Sequence, residues 1–128
     1  MTVARQTLGR DAEELVAARL ERAGWRIVAR NVRVTEVRGE IDLIAVDGGA
    51  LVFVEVKASR AGAVRGPERP VVAVGPVKQR KLRSLAAAWL RERGYDVPRH
   101  RDLRFDVVGL RLDAAGRVVE SEHLRAAF

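Results

Sequence analysis

The sequence has 128 residues, of which 48% are hydrophobic and 32% are charged, with a formal net charge of +7 at pH 7. Cysteine is absent and only two histidines occur, which excludes disulfide frameworks, thiolate sites and zinc clusters. No apolar run could cross a membrane, so we expect one cytoplasmic domain over residues 1–128 with no membrane partner, and the basic charge favours nucleic acid.

The start of the chain predicts one helix and one strand. Apolar residues recur at helical spacing from about Gly9 to Ala23, and Gly24 follows as a stop signal. Residues 1–8 are polar and are expected to be frayed, and residues 25–31 alternate as a strand does. Glu13 lies near the edge of the apolar stripe, where it either complements the helix dipole or reaches towards a site.

Residues 39–57, GEIDLIAVDGGALVFVEVK, predict a β-hairpin. Two apolar runs, 41–46 and 51–56, flank a turn at 47–50 that contains Asp-Gly, a strong turn signal. Because strand side chains alternate, one face of this hairpin is wholly apolar and is expected to form core. That face consists of Ile41, Leu43, Ala45, Val52, Val54 and Val56.

The register of the hairpin brings like charges together. A four-residue loop that pairs Val46 with Leu51 places Asp42 opposite Glu55, and Lys57 shares their face. Two carboxylates about 5 Å apart repel by roughly 3 kcal/mol at an effective dielectric near 20. Something must therefore compensate, and the candidates are a shared proton, the ammonium of Lys57, or a divalent cation bound by oxygen ligands.

A loop rich in glycine, proline and arginine is predicted after Lys57, over residues 58–70. This loop is either a plain surface connector or a basic flap, with Arg60 and Arg65, that closes on a phosphate backbone. We expect it to be mobile.

A second helix is predicted from about Pro76 to Arg93, since proline suits the first turn and Gly94 ends the pattern. Its first two turns carry four cations, Lys78, Arg80, Lys81 and Arg83. Cations there oppose the helix dipole but suit a phosphate ligand. The alternative is a solvated basic face without a ligand.

Two further strands are predicted, over residues 104–110 and from Val118 to about His123. Asp106, on the first of these, is interpreted as a structural partner for arginines rather than as a catalytic acid. The order α-β-β-β-α-β-β predicts an α/β domain with one mixed sheet covered by helices.

Several blocks of the chain resemble the YraN-like family of bacterial proteins, predicted endonucleases of the PD-(D/E)XK nuclease superfamily. The blocks are GEIDLIA, FVEVK and RFDVV, with Gly9 and Glu13 on the first helix. The resemblance covers roughly residues 9–108 and implies the restriction-endonuclease-like fold, with an α-β-β-β-α-β core and a mixed sheet flanked by helices. Ile41 stands where the superfamily motif has proline, and this departure removes no catalytic group.

The resemblance implies a role for each charged residue. Asp42 and Glu55 would bind Mg²⁺ or Mn²⁺ with help from the Val56 carbonyl, and Glu13 would complete the site from the first helix. Lys57 would orient or deprotonate the attacking water and stabilise charge on phosphorus.

The implied function is metal-dependent hydrolysis of phosphodiester bonds in DNA, including branched or structured DNA. Resolvase-like relatives work as dimers, so a homodimer fits the resemblance. The alternative is a non-catalytic nucleic-acid-binding or accessory protein that keeps the nuclease scaffold. Glu40, beside the site, is expected to have a structural role such as an ion pair with Lys57.

Overall fold

The order of helices and strands matches the one predicted, in a computed structural model that describes residues 3–62 and 74–128, with side chains from residue 8 onward. These parts of the chain contain two helices and five strands. They are α1 (Val3–Arg22), β1 (Arg26–Val32), β2 (Ile41–Asp47), β3 (Ala50–Arg60), α2 (Pro76–Arg93), β4 (Asp102–Leu112) and β5 (Val118–Leu124).

The five strands form one mixed sheet in the order β1-β2-β3-β4-β5. Only β3 and β4 are parallel, and α2 lies in the connection between them, as a parallel pair requires a long crossover. Val46 pairs with Leu51, so the predicted register is confirmed near the turn, whereas the pairs between β2 and β3 begin at Leu43 and Val54 and do not include Asp42 and Glu55. The turn is tighter than expected, because Asp47 also pairs with Ala50 and only two glycines remain between the strands.

The helices cover opposite faces of the sheet. Buried α1 residues pack with Leu43 and Val54, whereas buried α2 residues pack with Ile44 and Phe53, the alternate positions of the same hairpin. Both faces are therefore core, which explains why the predicted charged face is apolar near the turn. Ile41 was expected on the same face as Leu43 but packs on the α2 side. It precedes Leu43, the first β2 residue that pairs with β3.

Several predicted boundaries are wrong, and β4 extends two residues beyond its predicted range at each end. Helix α1 begins at Val3, so most of the stretch expected to be frayed is helical. Strand β3 continues to Arg60, because residues 58–60 pair with the parallel strand β4 although Ala-Ser-Arg shows no apolar alternation. The rest of the predicted loop from residue 63 on, including Arg65, lies outside the described residues.

Both ends of α2 are confirmed. Pro76 lies in the first turn, and Gly94 ends the helix with a positive φ of 59° and an N–H that donates to the Leu90 carbonyl at 3.1 Å. In the described ranges, neither helix has the length and hydropathy needed to cross a membrane.

Candidate functional site

Acidic side chains from three parts of the chain meet where β2 begins, at the end of the hairpin away from its turn. Glu13 comes from α1, Glu40 from the segment before β2 and Asp42 from β2. One carboxylate oxygen of each lies within 4.8 Å of the others. Glu55 on β3 is close enough for the charge of Asp42 to affect its titration. We call these four residues the acid cluster.

A backbone contact holds Asp42 beside β3. Its Oδ2 accepts a hydrogen bond from the Val56 N–H at 2.8 Å. The recorded β2–β3 backbone pairs begin at Leu43 and Val54, so the side chain of Asp42 accepts a hydrogen bond where the ladder ends. The predicted use of the Val56 carbonyl as a metal ligand stays a prediction.

Glu55 is buried, with 4% of its surface exposed, and its two oxygens differ in environment. Oε1 lies 3.5 Å from the Lys57 ammonium and 3.6 Å from that of Lys78. Oε2 is buried without a hydrogen-bond partner among the described residues. Since an unsatisfied buried acceptor is costly, this oxygen is suited to a ligand that the polypeptide does not provide.

The environment raises the pKa of three acids in the cluster, Glu13, Asp42 and Glu55. Burial raises the pKa of Glu13 to about 7, and the charges of Asp42 and Glu40 add to the effect. Burial also raises the pKa of Glu55 to about 7, with a contribution from Asp42 that Lys78 and Lys57 oppose. Burial raises the pKa of Asp42 as well, although the hydrogen bonds from Val56 and Glu13 act against it.

Glu40 forms an ion pair, as expected, but with a different partner. Its Oε2 pairs with Arg33 at 3.1 Å, not with Lys57, and it belongs to the group of three carboxylates that could hold a metal ion. Lys78 also differs, because it was predicted only as a nucleic-acid contact yet it reaches Glu55. Neither contact could be recognised from local sequence patterns, since the partners are distant in the chain or lie in an irregular segment.

Residues 12–110 match the model of a family described as "Uncharacterised protein family UPF0102". The chain belongs to this family. A UPF0102 protein of Streptomyces griseus is 45% identical over 122 residues, which cover 95% of this chain and 96% of that protein. Similar proteins occur in Anaeromyxobacter dehalogenans, 44% identical over 97% of this chain and 85% of that protein, and in Geobacter sulfurreducens, 42% identical over 94% and 88%.

The cations predicted to contact nucleic acid are divided in this UPF0102 chain. Lys78 and Lys81 line a cleft of about 520 Å³ at the start of α2, next to the acid cluster. Arg83 instead places its guanidinium 5.0 Å from the centre of the Phe105 ring. Arg80 and Arg60 are exposed.

Asp106 is confirmed as a structural partner for an arginine. Its carboxylate is fully buried and accepts hydrogen bonds from Arg104 at 2.9 and 3.0 Å, from His123 at 2.8 Å and from the Ala126 N–H at 3.0 Å. Burial acts to raise the pKa of Asp106, but these hydrogen bonds outweigh it and lower the pKa. The UPF0102 chain thus contains a second buried acid whose hydrogen bonding is satisfied.

Proposed function

We propose that this protein is a metal-dependent endonuclease of the PD-(D/E)XK type that hydrolyses phosphodiester bonds in DNA, including branched or structured DNA. The observation that carries the proposal is the buried, unpartnered Oε2 of Glu55, close to Asp42 and to two ammonium groups. A buried carboxylate oxygen without a hydrogen-bond partner costs free energy, and a bound cation would offset that cost.

The donor set fits Mg²⁺ or Mn²⁺. All the candidate side-chain ligands are carboxylate oxygens, the hard donors that these cations prefer. Glu13, Asp42 and Glu55 would hold the ion, with the Val56 carbonyl as a further ligand. A bound ion would polarise the scissile phosphate and lower the pKa of bound water.

The chain's own cations would act on the substrate. Lys57 and Lys78 lie within 3.6 Å of the same Glu55 oxygen, so each can reach a phosphate or a water next to that carboxylate. Lys57 would orient or deprotonate the attacking water, and Lys78 would stabilise charge on the phosphate. Exposed Arg60, Arg80 and Lys81 would contact flanking phosphates, in keeping with the net charge of +7.

A cleavage assay with defined DNAs tests this function. Labelled linear, nicked, flap and four-way DNAs are incubated with Mn²⁺ and wild-type protein, Asp42→Asn, Lys57→Ala or the matched control Asp96→Asn, an exposed acid outside the cluster. We expect Asp42→Asn to lose metal binding. Lys57→Ala should keep DNA binding and lose about 100-fold or more in cleavage rate, while Asp96→Asn behaves as wild type.

Two results would contradict the proposed function. Calorimetry that shows no binding of Mg²⁺ or Mn²⁺ at millimolar concentration would refute the proposal. DNA affinity that falls with salt, but is the same with and without EDTA and in both site variants, would instead indicate a non-catalytic nucleic-acid-binding protein. Sedimentation of the same samples tests the predicted homodimer.

A further inference from the structure

Asn31, the only asparagine in the chain, lies on β1 against the acid cluster. One terminal atom of its amide is 2.6 Å from Glu13 Oε2 and 2.7 Å from Glu40 Oε1. Because amide orientation is assigned from hydrogen-bonding partners, this atom is the nitrogen. An oxygen there would face two acceptors, whereas the nitrogen supplies one N–H to each carboxylate.

The position of Asn31 in the sheet explains this contact. Arg30 pairs with Leu43 and Val32 pairs with Ile41, so Asn31 lies beside Asp42 in the register of β1 and β2. Its backbone is left-handed, with φ of 50°, a conformation that asparagine tolerates better than other residues with a side chain. The orientation of the side chain therefore depends on a backbone conformation that few other residues adopt.

We propose that Asn31 is a positioning residue of the metal site, whose amide fixes Glu13 and Glu40 relative to Asp42. This inference rests on the proposed function. Hydrogen bonds to ionised groups are short and strong, and outer partners of metal ligands orient those ligands. Asn31 therefore acts on the cation through the two glutamates rather than by direct contact.

Glu13 and Glu40 make different contacts, which indicate different roles. Glu40 is engaged on both oxygens, since Asn31 donates to Oε1 and Arg33 pairs with Oε2 at 3.1 Å. Asn31 contacts only Oε2 of Glu13. The amide therefore orients the carboxylate, while Oε1 makes no hydrogen bond to the amide. Glu13 thus serves as the ligand, and Glu40 helps to hold the amide that orients it.

The test measures Mn²⁺ binding and thermal unfolding of two variants of the full chain. Asn31→Gly removes the amide but keeps the left-handed backbone accessible. Arg26→Gly is the matched control, since Arg26 is exposed on the same strand and pairs with Val46 far from the cluster.

We expect Asn31→Gly to bind Mn²⁺ about tenfold more weakly than wild type. Arg26→Gly should bind Mn²⁺ normally, and the two glycine variants should unfold at similar temperatures. If wild type binds Mn²⁺ and Asn31→Gly binds it equally well, this inference is wrong while the proposed function survives. If wild type binds no Mn²⁺, both are wrong.

A double-mutant cycle tests whether Asn31 acts through Glu13. In a Glu13→Gln background, Asn31→Gly should cause much less than its tenfold loss, because the carboxylate that it orients is gone. Full additivity would overturn the positioning role.

Nuclear magnetic resonance supplies a readout that needs no activity. The chain has one asparagine and two glutamines, so the side-chain amide pair of Asn31 is the one that is missing from the spectrum of Asn31→Gly. We expect the pair in metal-free protein to shift in Glu13→Gln and on addition of Mg²⁺. Signals at free-peptide positions that respond to neither change would contradict the inference.

Discussion

At the scale of single residues, the ammonium of Lys57 opposes the repulsion expected between Asp42 and Glu55, as one of the three compensations that the sequence allowed. The ammonium groups of Lys57 and Lys78 flank Glu55, and burial beside Asp42 raises the pKa of Glu55. The sequence indicated Lys57 as a partner. It could not indicate Lys78, because α2 approaches β3 only through the tertiary packing of the sheet.

The raised pKa values predict that metal binding depends on pH. Glu13 and Glu55 each have a pKa of about 7, so a cation must displace protons that the metal-free site still holds at pH 6. Mn²⁺ affinity should therefore rise from pH 6 to 8. Calorimetry in two buffers of different ionisation enthalpy should detect the released protons. Glu13→Gln should release fewer, and pH-independent affinity would refute the prediction.

Lys78 competes with a cation for Glu55, which predicts opposite effects on binding and on cleavage. Lys78→Ala should bind Mn²⁺ up to about fivefold more tightly at pH 8, where Glu55 is ionised, because a partly exposed ion pair contributes at most about 1 kcal/mol. Its DNA cleavage should be slower. Lys81→Ala, one turn further along α2, is the control for Mn²⁺ binding. Weaker Mn²⁺ binding by Lys78→Ala would contradict this assignment.

At the scale of elements, local patterns predicted those features that local chemistry determines. The hairpin register follows from the two-residue period of its strands, and the ends of α2 follow from Pro76 and Gly94. The extension of β3 to Arg60 could not be predicted in this way. Its pairing partner is β4, about 50 residues later, and the local residues Ala-Ser-Arg carry no strand signal.

Gly39 lies in the segment before β2, where the backbone approaches α2 closely. Its φ is 128°, and an added Cβ would lie 3.3 Å from both Leu85 Cδ1 and Lys81 Cε. We expect Gly39→Ala to lower the free energy of unfolding by roughly 1–3 kcal/mol in urea denaturation. The control is Gly116→Ala, which has positive φ but no neighbour within 4 Å. An equal loss in both variants would show that packing against α2 contributes nothing.

At the scale of the whole molecule, two buried acids occupy opposite faces of one sheet. The pKa of Glu55 is raised and that of Asp106 is lowered. Glu55 follows the strand positions that face α2, and Asp106 follows those that face α1. The sequence indicated both acids and separated their roles. It could not indicate their surroundings, because the partners of Asp106 and the amide that contacts Glu13 come from distant strands and from the chain end.

These opposite shifts predict how stability depends on pH in EDTA. The raised pKa of Glu13 and Glu55 means that the folded state retains protons that the unfolded state loses above about pH 4.5, so stability falls as pH rises from 4.5 through 7. The lowered pKa of Asp106 stabilises the fold above its ordinary value of 3.8, and this contribution is lost as pH falls through the folded pKa.

Denaturation in urea from pH 3 to 8 measures both arms of this profile. Glu13→Gln should reduce the decline between pH 5 and 7, whereas Glu14→Gln, an exposed neighbour on α1, should leave it unchanged. Mn²⁺ should restore stability at pH 7 to 8 and have little effect at pH 5, because it binds the deprotonated acids of the folded state. A metal-free stability that rises steadily to pH 8 would mean that the acid cluster does not hold protons and that its charges are already compensated by the protein.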